Sequence, residues 1–349
     1  MEKVGRYEQT TAWSNIDAGS CRWCFAVRGG REYFIKEYLD PKHPVNDTTS
    51  SEEKRARKLQ KCYAFEQEKR RLFQAINTAS DGNVVRVEDF FRIGGKYYMA
   101  MPKIYAEKLA EHEVAAKHFR EKVRLCMVIA HALSCVHETG FIHFDVKHAN
   151  IIFTRSPRGR LMAKLIDFDA GYFEDALPED PEMLSGDPLY YAPEMFAAVM
   201  DGCIRVTCKA DIYSLGILFH QSFVGFLPGI DWAQFGYTGE AAYYGEVPVV
   251  SEEMPERLRK LVERMLAFEA EDRPSAKEVY AYLRRIYDGD PEEAPASAVD
   301  FEVKIEPDVE TEFETELESE MELVHEEESG SVFRGDQPGK HIWGSLGDL

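Results

Sequence analysis

The stretch 140-GFIHFDVKHANIIF-153 places His143, Asp145, Lys147, His148 and Asn150 within eight positions, between apolar flanks. Taken alone it allows three readings: a satisfied polar turn, a metal site or a catalytic loop. The residues on either side decide among them.

Upstream, residues 16–39 read as two strands joined at Gly29-Gly30, a short-turn signal between period-two runs. A loop follows, then a long helix over 51–77, with Ser50 or Ser51 as its cap. Two more strands, VVRVEDFFRI and KYYMAM, flank Gly94-Gly95. Residues 113–139 read as one helix with a broad apolar face. Downstream of the loop, NIIF and AKLIDF read as short strands, and beyond residue 190 the chain is helix-rich to about 286. The expected fold class is α+β. It has a β-rich first lobe with one long helix (10–102), a mostly α second lobe (103–287) and a cleft between them.

Four residues then stand in an order that carries chemistry. Lys36 lies late in a strand, Asp145 and Asn150 lie in the quoted loop, and Asp167 ends the strand of LIDFDAG. A cation, a loop carboxylate and an Asn/Asp pair can make a phosphoryl-transfer site. The cation neutralises phosphate oxygens, Asn and the second Asp hold magnesium, and the first Asp orients a hydroxyl. Each residue alone has a blander reading. Lys36 can be a solvated strand lysine, Asp211 a helix cap, and Glu66 and Glu68 part of a charged helix face. His143 reads as structural and His148 as a surface or substrate-side residue.

The ordered motifs resemble those of eukaryotic-type serine/threonine protein kinases over residues 10–287. HFDVKHAN resembles the catalytic loop H-R-D-L-K-x-x-N, and DFD resembles the metal-binding D-F-G. GDPLYYAPE (186–194) resembles the close of an activation segment. ADIYSLG (210–216) resembles the central helix of the second lobe, and EDRPSAKEV (271–279) the late arginine motif. The resemblance implies a transfer of the γ-phosphate of ATP to a protein hydroxyl. Asp145 would take or orient the hydroxyl proton, and Lys147 would contact the transferred phosphate. Asn150 and Asp167 would bind Mg2+. Lys36 would hold the α and β phosphates, paired with Glu68 from the long helix, with Glu66 as the other choice. Gly19 would belong to the phosphate-covering loop. Met101 would stand at the entrance to a hinge whose backbone, Pro102 through Lys103 to Ile104, faces adenine. Glu194 and Arg273 would form a buried ion pair, and Asp211 would accept backbone hydrogen bonds beneath the catalytic loop.

Several positions depart from the family pattern. GSCRWCFA keeps only Gly19 of the glycine-rich loop, with Cys21, Cys24 and Ala26 at the other key positions. Trp23 either covers the site or packs. Phe144 stands in place of the arginine that meets an activation-loop phosphate, so control by loop phosphorylation is not expected. Asp187 stands where the family has threonine, and either pairs with Lys147 or displaces the loop. Asp169 replaces the glycine of D-F-G. Two other functions therefore stay open: a pseudokinase acting as scaffold or allosteric binder, and a small-molecule kinase. The segment GDPLYYAPE argues against the latter.

Charge is uneven. The final 62 residues, 288–349, hold 20 acidic and 3 basic residues, against 42 and 39 in the preceding 287. That end reads as a linker and an acidic tail that either solubilises or docks on a partner or on this chain, with Thr311 and Thr315 as candidate phosphosites. No basic stripe calls for nucleic acid. The uncharged run 212–230 contains His220, Gln221 and Pro228 and reads as a buried helix and loop rather than a membrane span. MEKVGRYEQTTAWS has no apolar core of the export type. The seven cysteines fall into no zinc or disulfide framework. A reduced, cytoplasmic protein is the expectation.

Overall fold

The computed structural model describes residues 2–16, 19, 21–45, 50–80, 82–156, 159–202 and 204–289. The acidic segment from residue 290 onward, with Thr311 and Thr315, lies outside the described residues. The chain divides into two units, one running to Ala106 and the other starting at Glu107.

The first unit is a six-stranded antiparallel sheet with one long helix. Its strands are β1 (Lys3–Val4), β2 (Tyr7–Gln9), β3 (Cys21–Arg28), β4 (Arg31–Tyr38), β5 (Asp89–Ile93) and β6 (Lys96–Pro102). They lie in the order β1-β2-β3-β4-β6-β5. The turn between β3 and β4 is Gly29-Gly30, with φ of +60° and +82°. Only residues tolerant of positive φ make that two-residue turn cheaply, and this fixes the register. One face of the sheet is a core of Val4, Tyr7, Cys24, Ala26, Tyr33, Ile35, Tyr98 and Ala100. Strands β1 and β2 precede the expected lobe boundary; they are too short to show periodicity, yet Tyr7 is fully buried in that core.

The helix α1 (Glu52–Ala79) starts at Ser51, whose hydroxyl accepts from the Lys54 amide. Cys62, Lys69, Leu72, Phe73, Ile76 and Ala79 are buried. Phe65 and Phe73 of this helix meet Phe90 of the sheet, and Phe65 also meets Tyr38 and Tyr97.

The second unit is built on helices. The expected helix over 113–139 is two: α2 (Glu111–Ala115) and α3 (Phe119–His137). Lys122 accounts for the break. Its ammonium donates at 2.9 Å to Ala115 O, the end of α2, and at 2.9 Å to Phe223 O, near the end of another helix. A cation there satisfies carbonyls that have no helical partner. After β7 (Phe141–Ile142) come β8 (Ile151–Arg155) and β9 (Leu161–Leu165), paired with each other, and β10 (Tyr172–Phe173), paired with β7. Then follow α4 (Pro193–Asp201), α5 (Lys209–Val224), α6 (Thr238–Tyr243), α7 (Glu256–Met265) and α8 (Ala276–Asp288). Every residue of α5 from Ala210 to Phe223 is buried, and Gly225 in the left-handed conformation ends it. Among the described residues no helix is long and apolar enough to cross a membrane. Arg273, buried, forms a bidentate pair with Glu194 at 2.7 and 2.8 Å and also donates to Lys209 O, Ala267 O and Phe268 O. Removing one partner of such a pair costs about 3–5 kcal/mol, because the other charge stays buried.

Glu37 is the most deeply buried charge described in the first unit. It pairs with Arg22 at 2.9 Å and Lys96 at 3.1 Å. Burial pushes its carboxyl up, but hydrogen bonds from Arg22, Lys96 and Tyr98 outweigh this and hold it below the ordinary 4.5. A depressed carboxylate contributes stability above its unfolded value and loses it as pH falls through the folded value. The melting temperature should therefore drop below pH 4.5 in calorimetry, and Glu37→Gln should be less stable at pH 7 with a shallower acid slope.

Candidate active site

The quoted loop is fixed from below by Asp211, a fully buried carboxylate of α5. Its Oδ2 accepts from the His143 amide at 2.7 Å and its Oδ1 from the Phe144 amide at 2.9 Å, while His137 Nε2 lies 2.9 Å from Oδ2. Phe144 takes φ +63°, a region bulky side chains avoid, so the bend is held by its surroundings. His143 is fully buried. The Asp145 amide donates to its Nδ1 at 3.3 Å, so its Nε2 carries the hydrogen given to Ile166 O at 3.0 Å. His143 is thus a brace between the loop and the strand end before Asp167.

Asp145 sits at the centre of a cluster within this unit. Its Oδ1 accepts from the Asp187 amide at 2.9 Å, and Lys147 Nζ lies 3.1 Å from the same oxygen. Asn150 Nδ2 donates to Asp145 Oδ2 at 2.7 Å and to Asp145 O at 2.8 Å. Lys147 also reaches Asp187 at 3.4 Å. Burial lowers the Lys147 pKa, but Asp145 and then Asp187 more than offset this, so it stays charged above its ordinary range. Of the two expectations for Asp187, the pairing with Lys147 is the one found. Asp187 presents its backbone N–H to Asp145 and turns its carboxylate to Lys147 and the Leu189 amide.

Asp167 also has positive φ, +59°, and is exposed. Phe168 is buried against His143, with ring centres 4.7 Å apart, and against Phe141. Asp169 has no left-handed backbone, so a glycine is not required there. The strict requirement falls on Gly171, where a Cβ would stand 2.3 Å from Ile142 O. Phe144 is buried and meets Tyr172 edge-on at 5.9 Å. Gly186 backs onto Phe144 O, which a Cβ would approach to 2.5 Å. None of Tyr172, Gly171 and Gly186 was picked out from sequence, although Gly171 and Gly186 each fall in a quoted stretch.

In the first unit, Lys36 is half-buried on β4, with Trp23 and Met99 as its cross-strand partners. Met101 pairs with Phe34 on the same face. The Lys103 amide donates to Glu32 O at 3.0 Å, and its ammonium pairs with Glu32 at 2.8 Å. Of the expected hinge, the Lys103 N–H is therefore spent on the sheet. Gly19 has φ +51° and open space around it. The segment expected as a phosphate loop is already strand from Cys21, and Cys24 and Ala26 point into the opposite core. Phe25, not Ala26, shares the face of Lys36.

Glu68 does not meet its expectation. Its side chain is 62% exposed, and its ion pair is with Lys69 at 3.9 Å. The buried stripe runs through positions 62, 69, 73 and 76, so Lys69 takes the inward place and Glu68 is turned outward. Glu66 accepts from Tyr97 Oη at 2.7 Å. The spacing of Cys62, Lys69 and Ile76 by sevens was the signal for this phase.

A divalent cation needs hard oxygen ligands. Among the described residues no three His, Cys, Asp or Glu side chains gather as a metal site. Asn150 uses its nitrogen on Asp145, which leaves its amide oxygen, a hard donor of the kind such a cation takes.

This arrangement, with its buried Asp211, bidentate Glu194–Arg273 pair and loop-borne Asp145, Lys147 and Asn150, is that of a protein kinase. The protein kinase domain family matches residues 48–282, more than half of the chain, and the chain belongs to that family, of the eukaryotic serine/threonine type. The match begins after the strand that carries Lys36. The chain is 31% identical over 150 residues to serine/threonine-protein kinase zyg-8 of Caenorhabditis elegans, covering 42% of this chain and 18% of that protein. It is 30% identical over 155 residues to MAP kinase-interacting serine/threonine-protein kinase 2 of Xenopus laevis, covering 42% and 33%. It is 26% identical over 224 residues to MAP kinase-interacting serine/threonine-protein kinase mnk-1 of Caenorhabditis elegans, covering 60% and 29%. The matches thus cover no more than 33% of the length of these relatives.

Asp211→Asn replaces one acceptor by a donor and strands the His143 or Phe144 amide. Each stranded buried donor costs about 1–3 kcal/mol. Urea denaturation should show a loss of that order, and hydrogen exchange at the His143 and Phe144 amides should quicken.

Proposed function

We propose that this chain transfers the γ-phosphate of ATP to a serine or threonine hydroxyl of a protein, without activation-loop phosphorylation. The observation that carries this is the Asp145 cluster. The carboxylate is oriented on both oxygens by Asp187 N–H, Lys147 and Asn150, as a group that must receive a hydroxyl proton at a fixed place requires. Asp145 orients the incoming hydroxyl, and Lys147 sits beside it to meet the transferred phosphate. Asn150 and Asp167 would hold Mg2+, which supplies neutralisation of phosphate charge. Lys36 would contact the α and β phosphates. Met101 and the hinge backbone around Lys103 would border the base, and Gly19 would give the preceding turn its backbone freedom.

Independence from loop phosphorylation rests on what stands in the segment itself. Phe144 has no cation to offer a phosphate; it packs on Tyr172 instead. Ser185 is the only serine or threonine of 172–188, and it is exposed. A second reading, a binding module without transfer, is favoured by Glu68, which faces solvent rather than Lys36.

Radiolabelled ATP transfer with Mg2+ separates the two. Wild type should label itself or a general protein acceptor. Asp145→Asn should lose about 10²–10⁴-fold in rate, Asp167→Ala should be inactive, and Ser185→Ala should be unchanged. No transfer by wild type, with partner binding intact, would establish the binding module; transfer to metabolites alone would indicate a small-molecule kinase.

A further inference from the structure

The register of the first unit assigns its aromatic residues to faces. Trp23, Lys36 and Met99 are successive cross-strand partners, and so are Phe25, Phe34 and Met101. Both rows lie on one face, because residues two apart on a strand point the same way. Along β4 the second row is the one nearer Pro102, which pairs with Tyr33.

Three large rings fill that face beside Lys36. Trp23 stacks on Phe34 with centres 5.6 Å apart, meets Phe25 edge-on at 5.5 Å, and Phe25 meets Phe34 edge-on at 6.2 Å. Lys103 Nζ sits 4.7 Å over the Phe25 ring. Trp23 and Phe25 are buried, while Phe34 is half-buried. The rings of β3 are backed by a tied backbone. Thr10 N donates to Phe25 O, Ser14 and Trp23 exchange both amide bonds, Thr11 Oγ1 accepts from Phe25 N, and Trp23 Nε1 donates to Ile16 O at 2.9 Å. Of the three, Phe34 is the least buried.

On the kinase reading above, on which this inference rests, Lys36 takes phosphates and the backbone after Met101 takes the edge of the base. A base that reaches that backbone edge-on lies directly against the sheet at the Phe25–Phe34–Met101 row. Side chains of a strand stand perpendicular to the sheet, so the Phe34 ring occupies the same layer. We propose that Phe34, backed by Phe25 and Trp23, is a steric gate on the nucleobase seat. Ring and base compete for one space, and the ring holds affinity for ATP low until it leaves the cluster.

The test is calorimetric titration of the full chain with ATP and Mg2+, comparing wild type, Phe34→Ala and Phe34→Val, with melting curves taken without nucleotide. Kd should fall about tenfold or more in both variants, the scale of relieving an overpacked contact. Should the alanine variant not fold, the valine variant, which keeps strand preference, carries the test. An unchanged Kd, or no binding by any of the three, overturns the gate. A raised Kd also overturns it, since Phe34 would then be a platform on which the base stacks. Phosphoryl transfer measured on the same samples separates this from the catalytic reading. Tighter binding without transfer would leave the gate and remove the activity; intact transfer with unchanged Kd would do the reverse.

Discussion

The active loop depends on one buried carboxylate. Asp211 has no exposure and takes hydrogen bonds from two consecutive backbone amides and an imidazole. Those two amides belong to His143 and Phe144, and Phe144 has a backbone conformation that its side chain disfavours. The bonds to Asp211 offset that cost, and the bend they hold turns Asp145 toward Lys147, Asn150 and Asp187. His143 extends the constraint through Ile166 to the start of the Asp167 segment. Two stretches 23 residues apart are thereby set against each other by one ring with a defined tautomer.

The same loop is packed by groups that the chain itself supplies. An arginine at position 144 would need an anion to answer it. Phe144 needs only apolar cover, which Tyr172 gives, and a close backbone, which Gly186 gives. Asp187 completes the junction by using different atoms for different partners, its N–H for Asp145 and its carboxylate for Lys147. Asp145 and Asp187 thus share the one ammonium of Lys147, and the proposed independence from modification rests on these contacts.

Much of this was legible in sequence where local chemistry is restrictive. Gly29-Gly30 forecast the turn, Ser50 or Ser51 the start of α1, and the uncharged run after Asp211 a buried helix, whereas the Glu194–Arg273 pair was implied by the family resemblance alone. The failures are failures of phase and of long-range contact. Glu68 and Lys69 are neighbours in sequence, and a shift of one residue along α1 exchanges the inward side chain for the outward one. The break between α2 and α3 is set by Lys122 reaching two helix ends, one of them 101 residues away, which no local pattern records. Asp187 was read as a side chain, whereas the atom that meets Asp145 is its backbone nitrogen.

The central claim is that the Asp145 cluster is assembled by the unmodified chain. The direct measurement is a time course of phosphate transfer by protein first treated with a phosphatase and then freed of it. The account predicts a constant rate from the first time point. A lag that disappears on preincubation with ATP would contradict it, because the cluster would then need a phosphate to form.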